Sequence, residues 1–162
     1  MNTLLIHLFS SPLYRIVVAA DDSPISKKAI DHAIKLCSKL TVPYKLDIVY
    51  AMGLNPAGIT AFGFMSGLDK LNNVDIQQDA KESVLNLNTY LAQFDETKSN
   101  TVIVKTSTKD CGYIIEDYIN ENPPDMLVLG SSNKEGLQKF ILGSVSDHCL
   151  HSCKCPVLII KN

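Results

Sequence analysis

The most constraining feature of this chain is a regular alternation of short β-branched runs with stretches of helical period. Residues 14–20 (YRIVVAA) form a compact β-branched run, as expected for a strand buried on both faces. Ser23 is an N-cap type, and Pro24 suits the first helical position, where its missing N–H has no partner to lose. Ala29, Ile30, Ala33, Leu36, Cys37 and Leu40 then recur at helical spacing. Residues 44–51 (YKLDIVYA) read as a second strand. Ile76, Ala80, Val84, Leu87, Leu91 and Phe94 mark a second amphipathic helix, and 101–106 (TVIVKT) a third strand. Asp110 can cap a helix that turns Ile114, Ile115, Tyr118 and Ile119 inward. Residues 125–130 (DMLVLG) form a fourth strand, Gly143-Ser144 opens a last helix carrying Val145 and Cys149, and 156–161 (PVLIIK) close the pattern. Strands alternating with helices imply right-handed crossovers and a parallel sheet covered on both faces. The expected fold is therefore α/β, a doubly wound, five-stranded parallel sheet of Rossmann-like type. Its strand order is 2-1-3-4-5 or a relative such as 3-2-1-4-5.

A length of 162 residues suits one domain, and no Pro/Gly/Ser linker divides it. Residues 1–13 read as a short N-terminal extension and 14–162 as the domain. The apolar residues Leu4, Leu5, Ile6, Leu8 and Phe9 are interrupted by His7 and follow no basic residue, which departs from a secretory signal. No stretch reaches the roughly 18 apolar residues of a membrane span. Residues 53–73 show no clear period and read as one long loop, a length usually tied to function or mobility. With a net charge of -2 and no Lys/Arg block, the chain does not look built to neutralise a nucleic-acid backbone. Five cysteines, an odd number, suggest reduced thiols in the cytoplasm rather than a disulfide framework.

In such sheets ligands bind outside the carboxyl ends of the strands, where the strand order reverses. The residues to watch are Ala20 and Asp21 after the first strand, Ala51 and Met52 after the second, Thr106 after the third, and the run from Gly130. Gly130 permits close approach of a ligand to backbone. Gly143-Ser144 at a helix start offers free N–H groups, a hydroxyl and the positive end of the helix dipole, which together suit an anion.

These residues carry a resemblance to the universal stress protein (UspA-like) domains, spread over nearly the whole chain from Tyr14 to Lys161. It rests on IVVAADDS at the first strand end, LVLGSS through LGSVSDHCL, and the closing CPVLIIK. The nucleotide-binding branch of that family carries G-x2-G-x9-G-(S/T). Here Gly130, Gly143 and Ser144 match, the loop length is kept, and the middle glycine is Asn133. Asn tolerates a left-handed backbone better than other non-glycine residues, and its amide can donate to a phosphate.

The resemblance implies binding of ATP or AMP, alone or with Mg2+, by a stress-response regulator or signalling module that dimerises. Ala20 and Asp21 would meet the adenosine, and Ala51 the adenine. Gly130, Ser132 and Asn133 would line the ribose and phosphates, and Gly143, Ser144 and Val145 would hold the phosphates. Ordering of residues 130–142 by the ligand would change a surface. The alternatives are a slow ATPase or phosphotransferase, with Asp21 as a base, and a nucleotide-free dimeric interaction module. Residues 157–160 (Val157, Leu158, Ile159, Ile160) would form an edge strand that pairs antiparallel with its copy in a homodimer. Neither nucleic acid nor a membrane is an expected partner.

Three other patterns weigh less. Gly53 to Thr60 approximates a P-loop but has Ile59 where the essential Lys belongs. His148, Cys149, His151, Cys153 and Cys155 are zinc-ligand types without the spaced pairs of a zinc site. Ser144 and His148 share a helix face, but Asp147 on the same helix cannot orient the imidazole of a triad, which leaves His148 as a surface residue.

Overall fold

A computed structural model describes residues 13–56, 65–95, 101–131 and 142–161, and of 65–71 the backbone alone. The first strand, β1 (Tyr14–Ala19), places Ile16, Val17 and Val18 wholly out of solvent. Its side chains alternate between two cores. Ile16 and Val18 pack with Ile48 of β2 (Tyr44–Gly53), Val128 of β4 (Met126–Ser131), Ala29, Ile30 and Ala33 of α1 (Pro24–Cys37), and Leu87 and Leu91 of α2 (Met65–Leu91). Val17 and Ala19 turn the other way. They meet Val49, Leu127 and Leu129, Ile115 and Ile119 of α3 (Cys111–Glu121), and Cys149 of α4 (Ser144–Ser152). Where β1 serves both cores, from Ile16 to Ala19, it has to be apolar at every position, which is why that stretch shows no alternation.

The sheet is completed by β3 (Ile103–Ser107) and β5 (Val157–Lys161), in the order β3-β2-β1-β4-β5, every pair parallel. Of the two expected orders the second is adopted. β1 lies between β2 and β4, so the chain winds one way to β3 and the other way to β5. The reversal falls at the carboxyl end of β1.

Each α-layer is fastened by a tyrosine–carboxylate bond. Tyr90 Oη of α2 donates to Asp31 Oδ1 of α1 at 2.6 Å. Tyr118 Oη of α3 donates to Asp47 Oδ2 of β2 at 3.3 Å. Asp47 is nearly buried and also faces Lys45 Nζ at 3.1 Å and Arg15 at 3.8 Å.

Two expectations need correction. The loop expected over 53–73 is shorter, because helix α2 begins at Met65. Its shielded positions Ile76, Ala80, Val84, Leu87 and Leu91 recur on one face, while Val74 and Leu85 are exposed; the turns before Ile76 are rich in Gly and polar residues and give no such mark. Asn73 holds the exit of β2: its Oδ1 accepts from Asn55 N at 2.8 Å and its Nδ2 donates to Asn55 O at 3.0 Å. Phe94 lies past the end of α2 and packs edge-on against Tyr90 at 5.4 Å.

Candidate functional site

The chain leaves β1 through Ala20, whose N–H still bonds Val49 O at 2.9 Å. Asp21 then turns it into α1. The Asp21 Oδ1 accepts from Ser23 N at 3.1 Å and from Ser26 Oγ at 2.6 Å. Ser23 caps α1, its Oγ accepting from Ser26 N at 3.3 Å. Partial burial pushes the Asp21 carboxyl up, but the bonds from Ser23 and Ser26 outweigh it and hold the pKa below 3.8. Asp21 is thus a carboxylate at neutral pH and a weak base, its lowered pKa coming from two bonds to Oδ1.

At the end of β4, Gly130 lies under α1. A Cβ there would stand 2.9 Å from the C and O of Ile25, so the close approach excludes any side chain. Ser146 Oγ donates to Gly130 O at 3.1 Å and pins the start of α4 to the same strand end. The N-cap of α4 is Gly143, which supplies no side-chain cap and has nothing within 4 Å of the place a Cβ would take. The N–H groups of the first turn of α4 thus have no side-chain cap among the described residues and lie at the positive end of the helix.

Two cavities meet here. One, about 270 Å³, is walled by Ala20, Asp21, Tyr50, Ala51, Gly130 and Val145, with Cys111 and Ile115 opposite. The other, about 240 Å³, runs from Ser23 past Ser131 to Gly143 and Ser144. They share Asp21, Ser26, Gly130, Val145 and Ser146. Joined, they form a groove within the roughly 300–1,000 Å³ range of small-molecule sites. Of the residues singled out from sequence, Ala20, Asp21, Ala51, Gly130 and Val145 line the first cavity, and Gly143 and Ser144 the second. Ser132 and Asn133 lie outside the described residues.

Sequence reasoning passed over Tyr50, Cys111, Ser26, Ser131 and Ser146. Tyr50 and Ser131 each directly adjoin a residue that was chosen, so widening each strand end by one position would have found them. Burial raises the Tyr50 phenol; a bond from Ser83 offsets it in part, and the charges of Asp21 and Asp22 add to the rise.

His148 is not the free surface residue expected. Its ring lies 4.2 Å from that of Tyr113, and its Nε2 is 2.8 Å from Glu116 Oε2. The cause is the close packing of α3 on α4, where Gly112 sits directly against the imidazole. Asp110 takes the N-cap position of α3, but its carboxylate makes no capping bond. Cys149 is fully buried, and burial first, then Cys153, drives its thiol well above the ordinary range. Among the described residues no group of three His, Cys, Asp or Glu side chains is placed to hold a metal. No helix among them is long and apolar enough to cross a membrane.

A family model described as the universal stress protein family matches residues 13–161. The chain is 28% identical over 157 residues to universal stress protein Sll1388 of Synechocystis, covering 91% of this chain and 97% of that protein. Among solved structures it is similar to universal stress protein UspA from Lactobacillus plantarum. There the TM-score is 0.68 at 16% identity, over 93% of this chain and 99% of that one. It is also similar to a universal stress family protein from Arabidopsis thaliana with AMP bound. Here the TM-score is 0.56 at 22% identity, over 92% of each chain. Two further universal stress proteins of this fold are seen in complex with cAMP and with dAMP.

Proposed function

The chain belongs to the universal stress protein family, and from that premise we propose that it binds an adenine nucleotide, AMP or ATP, in the groove at the carboxyl ends of β1, β2 and β4. The observation that carries this reading is the joining of a mostly apolar cleft at the sheet's reversal point to the uncapped start of α4. The residues present suit such a ligand. Gly130 lines both cavities, Gly143 has open space where a side chain would stand, and the first turn of α4 offers donors without a basic residue. Ala51 would face the adenine, Ala20 and Asp21 the adenosine, and Gly130, Ser132 and Asn133 the ribose and phosphates. Gly143, Ser144 and Val145 would hold the phosphates, with Mg2+ as a companion of ATP.

Binding is read out through conformation and assembly, in a stress-response or signalling role, rather than through turnover. The low basicity of Asp21 supports this choice over slow hydrolysis. Residues 14–162 act as one domain in the cytoplasm. None of the five cysteines forms a disulfide, which fits that compartment. The edge position of β5, with Leu158 exposed, supports a homodimer formed by antiparallel pairing of 157–160 with a second copy. Calorimetric titration of the folded chain with AMP and ATP tests the nucleotide reading. Saturable heat below about 1 mM, or roughly 4 kcal/mol of binding free energy, is expected. Absence of heat with both ligands at that concentration contradicts it.

A further inference from the structure

A third cavity, about 530 Å³, opens between the heads of α3 and α4. It is larger than either half of the groove, which hold about 270 and 240 Å³. Asp110, Gly112, Tyr113 and His148 wall it. It shares Cys111 and Val145 with the first cavity of the groove, and Ser144 and Val145 with the second. Val145 thus borders all three spaces, which wrap around the first turn of α4.

The chemistry of the wall changes at that ridge. Among the described residues lining the third cavity there is no Lys or Arg, and the carboxylate of Asp110 makes no capping bond. A further phosphate would be repelled there. Two rings stand in the wall instead. Tyr113, 51% exposed, has its ring 4.2 Å from the His148 imidazole, centroid to centroid, at a tilt of 53°. The imidazole is itself fixed. Its Nε2 lies 2.8 Å from Glu116 Oε2, and Gly112 leaves it room, since a Cβ there would stand 2.9 Å from its Cγ. A fixed pair of rings is a stacking surface for a planar group. An ionised carboxylate only accepts, so Asp110 suits hydroxyl or amino donors beside that group. A nucleoside offers both, a flat base and a ribose.

We propose that the third cavity binds a second nucleoside, so that the ligand filling the whole site is a dinucleotide. One base lies in the groove, the bridging phosphates pass the head of α4, and the second base lies against Tyr113 and His148. The proposal rests on the nucleotide reading of the groove and deepens it by naming the class of ligand. A mononucleotide ends at its phosphates and leaves the two rings uncovered.

The test is calorimetric titration of the full chain with AMP, ATP, diadenosine tetraphosphate and NAD+, repeated on Tyr113→Ala and Tyr113→Phe. At least one of the two dinucleotides should bind ten times or more tighter than AMP and ATP, and which one does so identifies the second base. Tyr113→Ala should cancel that advantage, about the tenfold effect of one stacked base. Its AMP affinity should equal wild type, which also shows that the variant is folded. Tyr113→Phe keeps the ring and should retain the advantage. The proposal is overturned if neither dinucleotide exceeds the mononucleotides, if Tyr113→Ala binds the dinucleotide as wild type does, or if it loses AMP and dinucleotide equally. With AMP still bound by wild type, each of these results leaves the nucleotide reading of the groove standing. If AMP and ATP do not bind, the mononucleotide reading fails by itself. In that case dinucleotide binding that disappears in Tyr113→Ala supports the role of the third cavity, and absence of all binding overturns it.

Discussion

At the scale of single residues, the groove owes its shape to side chains that are missing or already engaged. Gly130 is required by the 2.9 Å approach of the Ile25 backbone, and backbone cannot swing aside as the end of a side chain can. Gly130→Ala should therefore push the start of α1 off β4 and cost about 1–3 kcal/mol, read as a shift in the urea midpoint. A midpoint equal to wild type would mean that α1 is free to yield. Asp21, Ala51 and Gly130 were legible in the sequence because the apolar runs mark where strands end, and ligands gather at strand ends. Tyr113 was not. A half-exposed tyrosine looks the same in sequence wherever its ring points, and only the packing of α3 on α4 turns it to a cavity. The same holds for His148, whose neighbour Glu116 lies 32 residues away in the chain.

At the scale of elements, the helix starts divide into capped and uncapped. Ser23 bonds Ser26 N at the head of α1, whereas Asp110 at the head of α3 and Gly143 at the head of α4 make no side-chain cap. Ser23→Ala should cost about 1 kcal/mol in chemical denaturation. Asp110→Ala should cost less, since only the helix-dipole contribution of its carboxylate is removed, some few tenths of a kcal/mol. Equal losses would contradict the observed capping. Capping signals in the sequence located both helices, but the residue type alone does not say whether the side chain turns back. Helix α2 shows the opposite failure. Its apolar face runs from Ile76 to Leu91, but the turns before Ile76 hold Gly67, Asp69, Lys70, Asn72 and Asn73, so they merged with the loop before them.

At the scale of the whole molecule, two tyrosines fasten the helical layers, one on each face: Tyr90 ties α2 to α1, and Tyr118 ties α3 to the sheet. Burial together with Asp31 pushes Tyr90 up to about 12, and burial together with Asp47 does the same for Tyr118, against an ordinary value of 10.0. Below pH 10 both phenols are protonated in the folded and unfolded chains, and their contribution to stability is intact. Between pH 10 and about 12 the unfolded chain releases protons that the folded chain retains, so stability falls as pH rises. Urea midpoints measured from pH 9 to 12 should drop more steeply for wild type than for a Tyr90→Phe/Tyr118→Phe variant. Parallel slopes would contradict the assignment.

The sheet order, with β1 between β2 and β4, collects Asp21, Ala51 and Gly130 at one end of the molecule, and the nucleotide reading depends on that end being the site. The most direct measurement is a two-dimensional amide NMR spectrum of the 15N-labelled chain titrated with AMP. Saturable shifts should gather at Asp21, Ala51, Gly130, Ser144 and Val145, while Tyr14, Tyr44 and Asp125 at the opposite ends of the strands stay still. No shifts at millimolar AMP, or shifts centred on that opposite end, would contradict the account.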